Sequence, residues 1–482
     1  MNEFGSRNDE LLADELRDIF RADANVEMPG RLADRIASIP ERRRSISGPR
    51  LLGALPIGSL IVACLVVAAL VWGVPRFAPM AGTAQPSGVA STSPASCELS
   101  SPTATPEGSG PTPTPYPATP TPAGPTPTPA PGSFRPVGSM TTARDGATAI
   151  RLRDGRVLVV GGKGDGGELA SAELYDPATC TFSATGSMPE ARSGFTATLL
   201  QDGRVLIAGG FVPNRDLAPA LLYVPTTGSF IPTGSMVTAR AGHSATLLQD
   251  GRVLIAGGEA FDPASNASHV LASAELYDPN AGTFTLTGSM PTQVIGEAVA
   301  LLPNGKVLFA GGNTGAGYTG DLTSANLYDP ATGTFSATGS MVSGWGETAT
   351  VLRNGIVLIL GQTRSLPIGS LPATLPSAEL YDPATGTFSM TGPYTAPGGT
   401  ATLLHDGHVL VLGGSLGEAG PHLLGVAAAH LYDPASGTFG PTRPMTAVRA
   451  GPAVALLADG SVLVAGGDGP GMLLNSAELF EP

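Results

Sequence analysis

The chain has 482 residues, a formal net charge of −13, 65 glycines, 45 prolines and only 5% aromatic side chains. An acidic chain with almost no lysine repels a phosphate backbone, so no nucleic-acid partner is expected. Composition divides it into four stretches, 1–50, 51–74, 75–131 and 132–482.

Residues 1–50 are polar and charged. Leu11, Leu12, Leu16, Ile19 and Phe20 share one helical face, and a second short helix is expected from Arg31 to Ile39. Two readings stand: a solvated segment beside a membrane, or a docking site for a cytoplasmic partner. Such a two-helix tail resembles those of membrane-anchored bacterial anti-sigma factors. It holds neither Cys nor His, and so lacks the zinc motif that many of them carry.

Residues 51–74, LLGALPIGSLIVACLVVAALVWGV, carry no charge. As a helix they span about 36 Å, enough for a hydrocarbon core of about 30 Å. Arg42, Arg43, Arg44 and Arg50 precede the span and only Arg76 follows closely, which predicts a cytoplasmic N-terminus and an outer C-terminus. A cleaved signal peptide is the alternative, with a shorter apolar region and a far shorter leader. A single-pass protein of the cell membrane is expected.

Residues 75–131 are Pro, Thr, Ser and Ala, culminating in PTPTPYPATPTPAGPTPTPAP. This composition cannot bury a core and favours extended polyproline II, a semi-rigid stalk. Of the three cysteines, Cys64 lies in the apolar span, Cys97 in the stalk and Cys180 in the last stretch. Cys97 and Cys180 share the outer compartment, which leaves a disulfide between them open. Asn266-Ala267-Ser268 fits the N-glycosylation pattern.

Between residue 138 and the C-terminus one unit recurs seven times. Its opening is an apolar β-rich run, a short turn and a second such run, as in Thr196–Leu200, Gln201-Asp202-Gly203-Arg204 and Val205–Ala208. The turn returns as Asp154-Gly155, Asp250-Gly251, Asn304-Gly305, Asn354-Gly355, Asp406-Gly407 and Asp459-Gly460. Asp-Gly and Asn-Gly between apolar runs predict a hairpin of the type I′ kind. A glycine pair follows, such as Gly209-Gly210, with Gly361-Gln362 as the exception. A loop of variable length leads to Tyr175, Tyr223, Tyr277, Tyr328, Tyr381, Tyr432 or Phe480. Seven residues beyond each of the six tyrosines stands a phenylalanine, from Phe182 to Phe439. Four short strands at a period near 50 residues predict a propeller blade.

The order of hairpin, Gly-Gly, variable loop, Tyr and a later aromatic resembles the kelch repeat over residues 132–482, with Phe where that family usually has Trp. The resemblance implies an all-β, seven-bladed β-propeller. The seventh unit ends at Glu481-Pro482, before its fourth strand, while an orphan fourth strand lies at residues 132–140. The N-terminal strand is therefore expected to complete the last blade against Ala477–Phe480, leaving no open edge.

In kelch proteins the loops between second and third strands, and those joining blades, open on one face that usually carries binding sites. Here those loops hold Asp165, Glu168, Arg215, Asp216, Glu259, Asp262, Tyr318, Asp321, Arg364, His422 and Asp468. The joining loops repeat an arginine at Arg144, Arg192, Arg240 and Arg449, whereas units four to six have Gln293, Gly344 and Pro397 nearby. Either these arginines bond carbonyls of the next blade, or they ring a carboxylate or sugar ligand. Trp345 and Glu347 interrupt the fifth unit, and Trp345 either stacks on a sugar or plugs the channel. His243 joins them as a candidate for the ligand-binding face.

Copper oxidases resembling galactose oxidase share the kelch propeller. The resemblance implies for them two tyrosines, two histidines and a cysteine cross-link. Outside the repeat and the stalk only Tyr318 and Tyr394 remain, and no Tyr-His pair occurs. No cofactor or metal is expected, and no nucleophile elbow, zinc pattern or phosphate loop is present in the sequence. The leading expectation is a membrane-anchored, non-catalytic binding module for a glycan or protein ligand. The alternatives are an extracellular propeller enzyme, and a sensor that signals through residues 1–50.

Overall fold

The computed structural model describes residues 132–482, apart from 316–321, 343–345, 365–373, 393, 395–398 and 420–421. The tail, the apolar span, the stalk, Cys64, Cys97, Tyr318, Asp321, Gly344, Trp345 and Pro397 lie outside the described residues. Among the described residues every regular element is a strand, and no helix is long and apolar enough to cross a membrane.

Seven antiparallel sheets make seven blades, six of four strands and that of blade two with a fifth short strand. In blade one the strands are Thr148–Arg151, Val157–Val160, Ala172–Asp176 and Thr181–Ala184, paired in that order. The first strand of each blade lies against the first strands of both neighbours, which closes the ring. Blade seven is completed as expected: Ser133–Pro136 pairs with Ala477–Glu481, with Phe134 opposite Phe480 and Pro136 opposite Glu478. Pro136 is tolerated because this is the outermost strand, where a missing N–H breaks no ladder.

The second strands are buried over their four core residues, as at Val157–Val160, Val205–Ala208 and Val253–Ala256. Alternate side chains feed different joints: Val157 and Val159 pack toward blade seven with Leu463 and Ala465, while Leu158 and Val160 pack toward blade two with Val205 and Ile207. A sheet covered on both faces needs such a continuous apolar run. The molecule thus has seven inter-blade cores, and each fully buried Val or Leu contributes about 1.5–3 kcal/mol.

Two further devices fasten the joints. Each repeat tyrosine lies opposite its phenylalanine, as in Tyr223 and Phe230 with ring centroids 4.9 Å apart. At five joints its hydroxyl bonds a threonine of the preceding blade: Thr185–Tyr223, Thr233–Tyr277, Thr287–Tyr328, Thr338–Tyr381 and Thr391–Tyr432. The two joints of blade seven lack this latch. Phe480 has no hydroxyl, so Thr442 donates to the Gly132 carbonyl (2.6 Å). Val137 replaces threonine opposite Tyr175, whose buried hydroxyl has no partner.

The hairpin turn differs from the expected type I′. Only its glycine takes a left-handed backbone (Gly155, φ 90°), while positive φ outside glycine is confined, among the described residues, to Cys180, Asn214 and Asn266. Leu152 N–H donates to Arg156 and Gly155 N–H to Leu152, a three-residue loop with a glycine bulge. The Asp154 carboxylate accepts the Arg156 N–H at 3.1 Å, so the Asp acts through its side chain rather than its backbone.

Candidate binding face

Isolated bridges such as Asp145–Lys163, Ala241–Glu259, Ile295–Asn313 and Ala450–Asp468 tie the blade-joining loops to the second-to-third-strand loops. Both loop classes therefore share one face. Among the described residues four blades add a hairpin there: Lys163–Gly164 with Gly167–Glu168, Glu259–Asp262 with Ala267–Val270, Ser415–Ala419 with His422–Gly425, and Asp468–Gly469 with Met472–Leu473. Blade two extends its second strand to Val212 and pairs Arg215–Asp216 back onto it.

These additions meet across joints. The Phe261 N–H donates to the Asp216 carboxylate at 2.5 Å, and His422–Gly425 runs beside Asp468–Gly469. The result is a partly continuous crown. Arg215 and His269 are exposed on it, and Met472 is 61% exposed. Asn266, of the Asn-Ala-Ser pattern, is exposed at a hairpin tip with φ 53°.

The four arginines are not part of this surface, which corrects the expectation of a ligand-facing ring. Arg144, Arg192, Arg240 and Arg449 are at most 2% exposed. Arg240 Nη1 donates to the Gly257 and Ser273 carbonyls (3.0 and 2.9 Å), and Nη2 to Ser273 Oγ and Glu275 Oε1 (both 2.9 Å). Arg144 makes the same set with Gly161, Ser171 and Glu173, and Arg449 with Gly466, Ser476 and Glu478. The partners belong to the arginine's own blade, not the next one. Each glutamate also accepts N–H groups of the joining loop, such as Val237 and Thr238 on Glu275. A planar fork suits this bidentate, buried role.

Blade two keeps the arginine and loses the carboxylate. Pro219 and Leu221 stand where the other three arginine-bearing blades have Ser and Glu, and Arg192 bonds only the Gly209 and Pro219 carbonyls (both 3.1 Å). Burial lowers its pKa from the ordinary value. Blade five has the converse: Glu379 is buried and accepts the Val342 N–H (2.8 Å). The sequence held a partial signal for this brace: Arg and the Glu of Ser-Ala-Glu-Leu occur together in units one, three and seven, and apart in units two and five.

His243 is also interior. It belongs to a ring of equivalent positions at the start of the first strands: Ala147, Phe195, His243, Glu297, Glu347, Gly399 and Pro452. The side chain there lies over the first glycine of the preceding blade's pair. A β-carbon on Gly161 would stand 2.5 Å from the Phe195 ring, and one on Gly209 2.6 Å from His243 Cε1. Only glycine leaves this slot open. His243 Nε2 pairs with Thr196 Oγ1 at 2.9 Å, and burial, helped by the Arg240 charge, drives its pKa down to about 3.

Chemically the slots divide into two arcs. Ala147, Phe195 and Pro452 are apolar. His243, Glu297 and Glu347 are not, and in blade six Tyr394 projects its hydroxyl beside side-chain-free Gly399. The Tyr394 hydroxyl and His430 Nδ1 are buried without partners, their ring centroids 6.4 Å apart. Burial raises the Tyr394 pKa, with the Glu347 charge adding to it, and burial lowers that of His430. Glu347 is half-buried. Glu297 escaped the sequence reading, its one signal being an acidic residue where other units have Ala, Phe or Pro.

Cys180 takes the turn position that glycine holds in most other blades, with φ 54°, and it is disulfide-bonded. Its partner lies outside the described residues. The Cys180 carbonyl accepts the Gly138 N–H at 2.9 Å, at the joint where blade seven meets blade one.

No family model matches the sequence, and no curated protein matches it. Among solved structures, a fungal alcohol oxidase of the AA5 family, in complex with copper, aligns with a TM-score of 0.58 and 21% identity over 73% of this chain and 76% of its own. YjhT aligns with a TM-score of 0.44 and 15% identity over 71% of this chain and 96% of its own. Copper belongs to that oxidase. In the present chain no three His, Cys, Asp or Glu side chains gather among the described residues, Cys180 is committed to a disulfide, and Tyr394 is wedged against Phe439 (centroids 4.9 Å). These residues do not fit such a centre. What the likeness establishes is the fold: the chain is a seven-bladed β-propeller.

Proposed function

We propose that this chain is a membrane-anchored binding module that presents its propeller outside the cell and takes a glycan or protein ligand on the hairpin crown. The observation that supports this reading is the unequal variation of the repeat. Strands and turns recur from blade to blade, and latches at five joints, whereas the loops between second and third strands differ in length and charge from unit to unit. Variable loops on a rigid scaffold are where specificity is written. The uncharged stretch 51–74 and the Pro/Thr-rich stretch 75–131 support the anchored topology.

The test is a glycan array probed with the full-length chain. It is run beside a crown variant (Arg215→Ala, His269→Ala, Met472→Ala) and an opposite-face control (Arg153→Ala). Binding that the crown variant loses by more than tenfold and the control retains supports the reading. Equal binding by both variants moves the ligand off the crown.

A further inference from the structure

Glu297 occupies the slot between blades three and four. Its carboxyl lies over Gly257, with Oε1 3.1 Å from where a β-carbon on that glycine would sit, beside the Met290 methyl and the Val294 carbonyl. The residue is 8% exposed and neither oxygen has a hydrogen-bond partner of normal geometry; its own N–H and the Ser244 hydroxyl lie close enough to favour the charged form, but burial outweighs them. The neighbouring Ser244 hydroxyl donates to the Ala256 carbonyl at 3.2 Å. Charged groups on the packed elements are engaged elsewhere. Arg240 and Glu275 of blade three close on each other, His243 turns into the preceding joint, Lys306 of blade four pairs with Asp329, and Glu347 sits one joint further on.

A lone ionised carboxylate in such a place costs far more than a protonated one. Packing does not demand it, since the same slot holds Ala147, Phe195 and Pro452 in other joints. We propose that the joint between blades three and four is proton-operated: a protonated Glu297 holds it closed, and loss of that proton loosens it at the crown end. Burial pushes the carboxyl up to about 7 from an ordinary 4.5, so the transition falls near neutral pH. The sign follows from linkage. The folded joint binds the proton more tightly than the open one, so closure is complete at low pH and weakens as pH rises from about 4.5 through 7.

Two backbone bonds cross this joint beside Glu297: Gly258 N–H to the Val294 carbonyl and Val294 N–H to the Leu271 carbonyl, both 3.1 Å. Gly210 N–H to the Arg240 carbonyl (3.0 Å) is the matching bond in the preceding joint. The test is hydrogen exchange of the full-length protein between pH 5 and 8.5, read as protection corrected for the intrinsic rate. Protection at Gly258 and Val294 is expected to fall by on the order of tenfold per pH unit across the titration, while Gly210 stays flat. Glu297→Gln and Glu297→Ala are expected to abolish the fall. The second copies Ala147, so a folding failure of one variant leaves the other. Protection in the wild type that ignores pH, or falls equally in both variants, overturns the proposal.

Discussion

The joints between blades one and two and between blades three and four share one backbone plan and differ in the chemistry of the side chain that fills the slot. In the first, the Phe195 ring covers Gly161 within an apolar cluster. In the second, the Glu297 carboxyl covers Gly257 with neither oxygen in a hydrogen bond of normal geometry. The scaffold therefore accepts either chemistry, and the polar choice confers no packing advantage. Stability is built by the repeated apolar strands, the Thr–Tyr latches and the Arg–Glu braces. The arc from His243 to Tyr394 uses that stability to hold groups whose charge the interior disfavours.

The largest expected effect strikes the braces. Arg240→Ala strands Glu275, which is fully buried, and should lower stability by about 3–5 kcal/mol in urea unfolding. Arg192→Ala strands no carboxylate and should cost clearly less. Equal losses would show that the carbonyl bonds, not the carboxylate, hold the joining loops.

A smaller effect depends on pH. His243 must be neutral in the folded blade, with a pKa near 3 against an ordinary 6.5. On acidification the unfolded chain takes up this proton first. The stability tied to the neutral ring is complete above 6.5 and is lost toward 3, by about 1.4 kcal/mol per pH unit. His243→Phe, which copies the slot between blades one and two, should remove that part of the acid sensitivity in thermal unfolding at pH 4–7. It would leave the opposite, alkaline sensitivity of Glu297 in place.

Smaller still, Thr185→Val copies Val137 and should cost about 1–2 kcal/mol by orphaning the Tyr223 hydroxyl. The seam beside blade seven tolerates that state at Tyr175, where the closing strand adds an Arg135–Glu481 pair (2.8 Å). Least of all, Asp154→Ala removes a part-exposed pair with Arg156 and should cost less than about 1 kcal/mol in the same assay. A larger loss would mean that the Asp side chain sets the turn.

The sequence by itself determined the blade count, the strand order and the closure by Ser133–Pro136. Each follows from periodic local signals: Asp-Gly at a fixed offset, paired glycines and a tyrosine ahead of a phenylalanine. The destinations of the side chains were decided only by the tertiary structure. Arg240 and Glu275 are 35 residues apart, and His243 meets Thr196 across 47, so no local pattern could say that a loop arginine turns inward or that a histidine enters a slot. The turn type also escaped, because Asp-Gly suits both a two-residue loop and a three-residue loop with a bulge, and register chooses between them. Glu297 reads in the chain as one more acidic residue before a strand. Only the closed ring, which presses blade four onto Gly257, takes its carboxyl away from water.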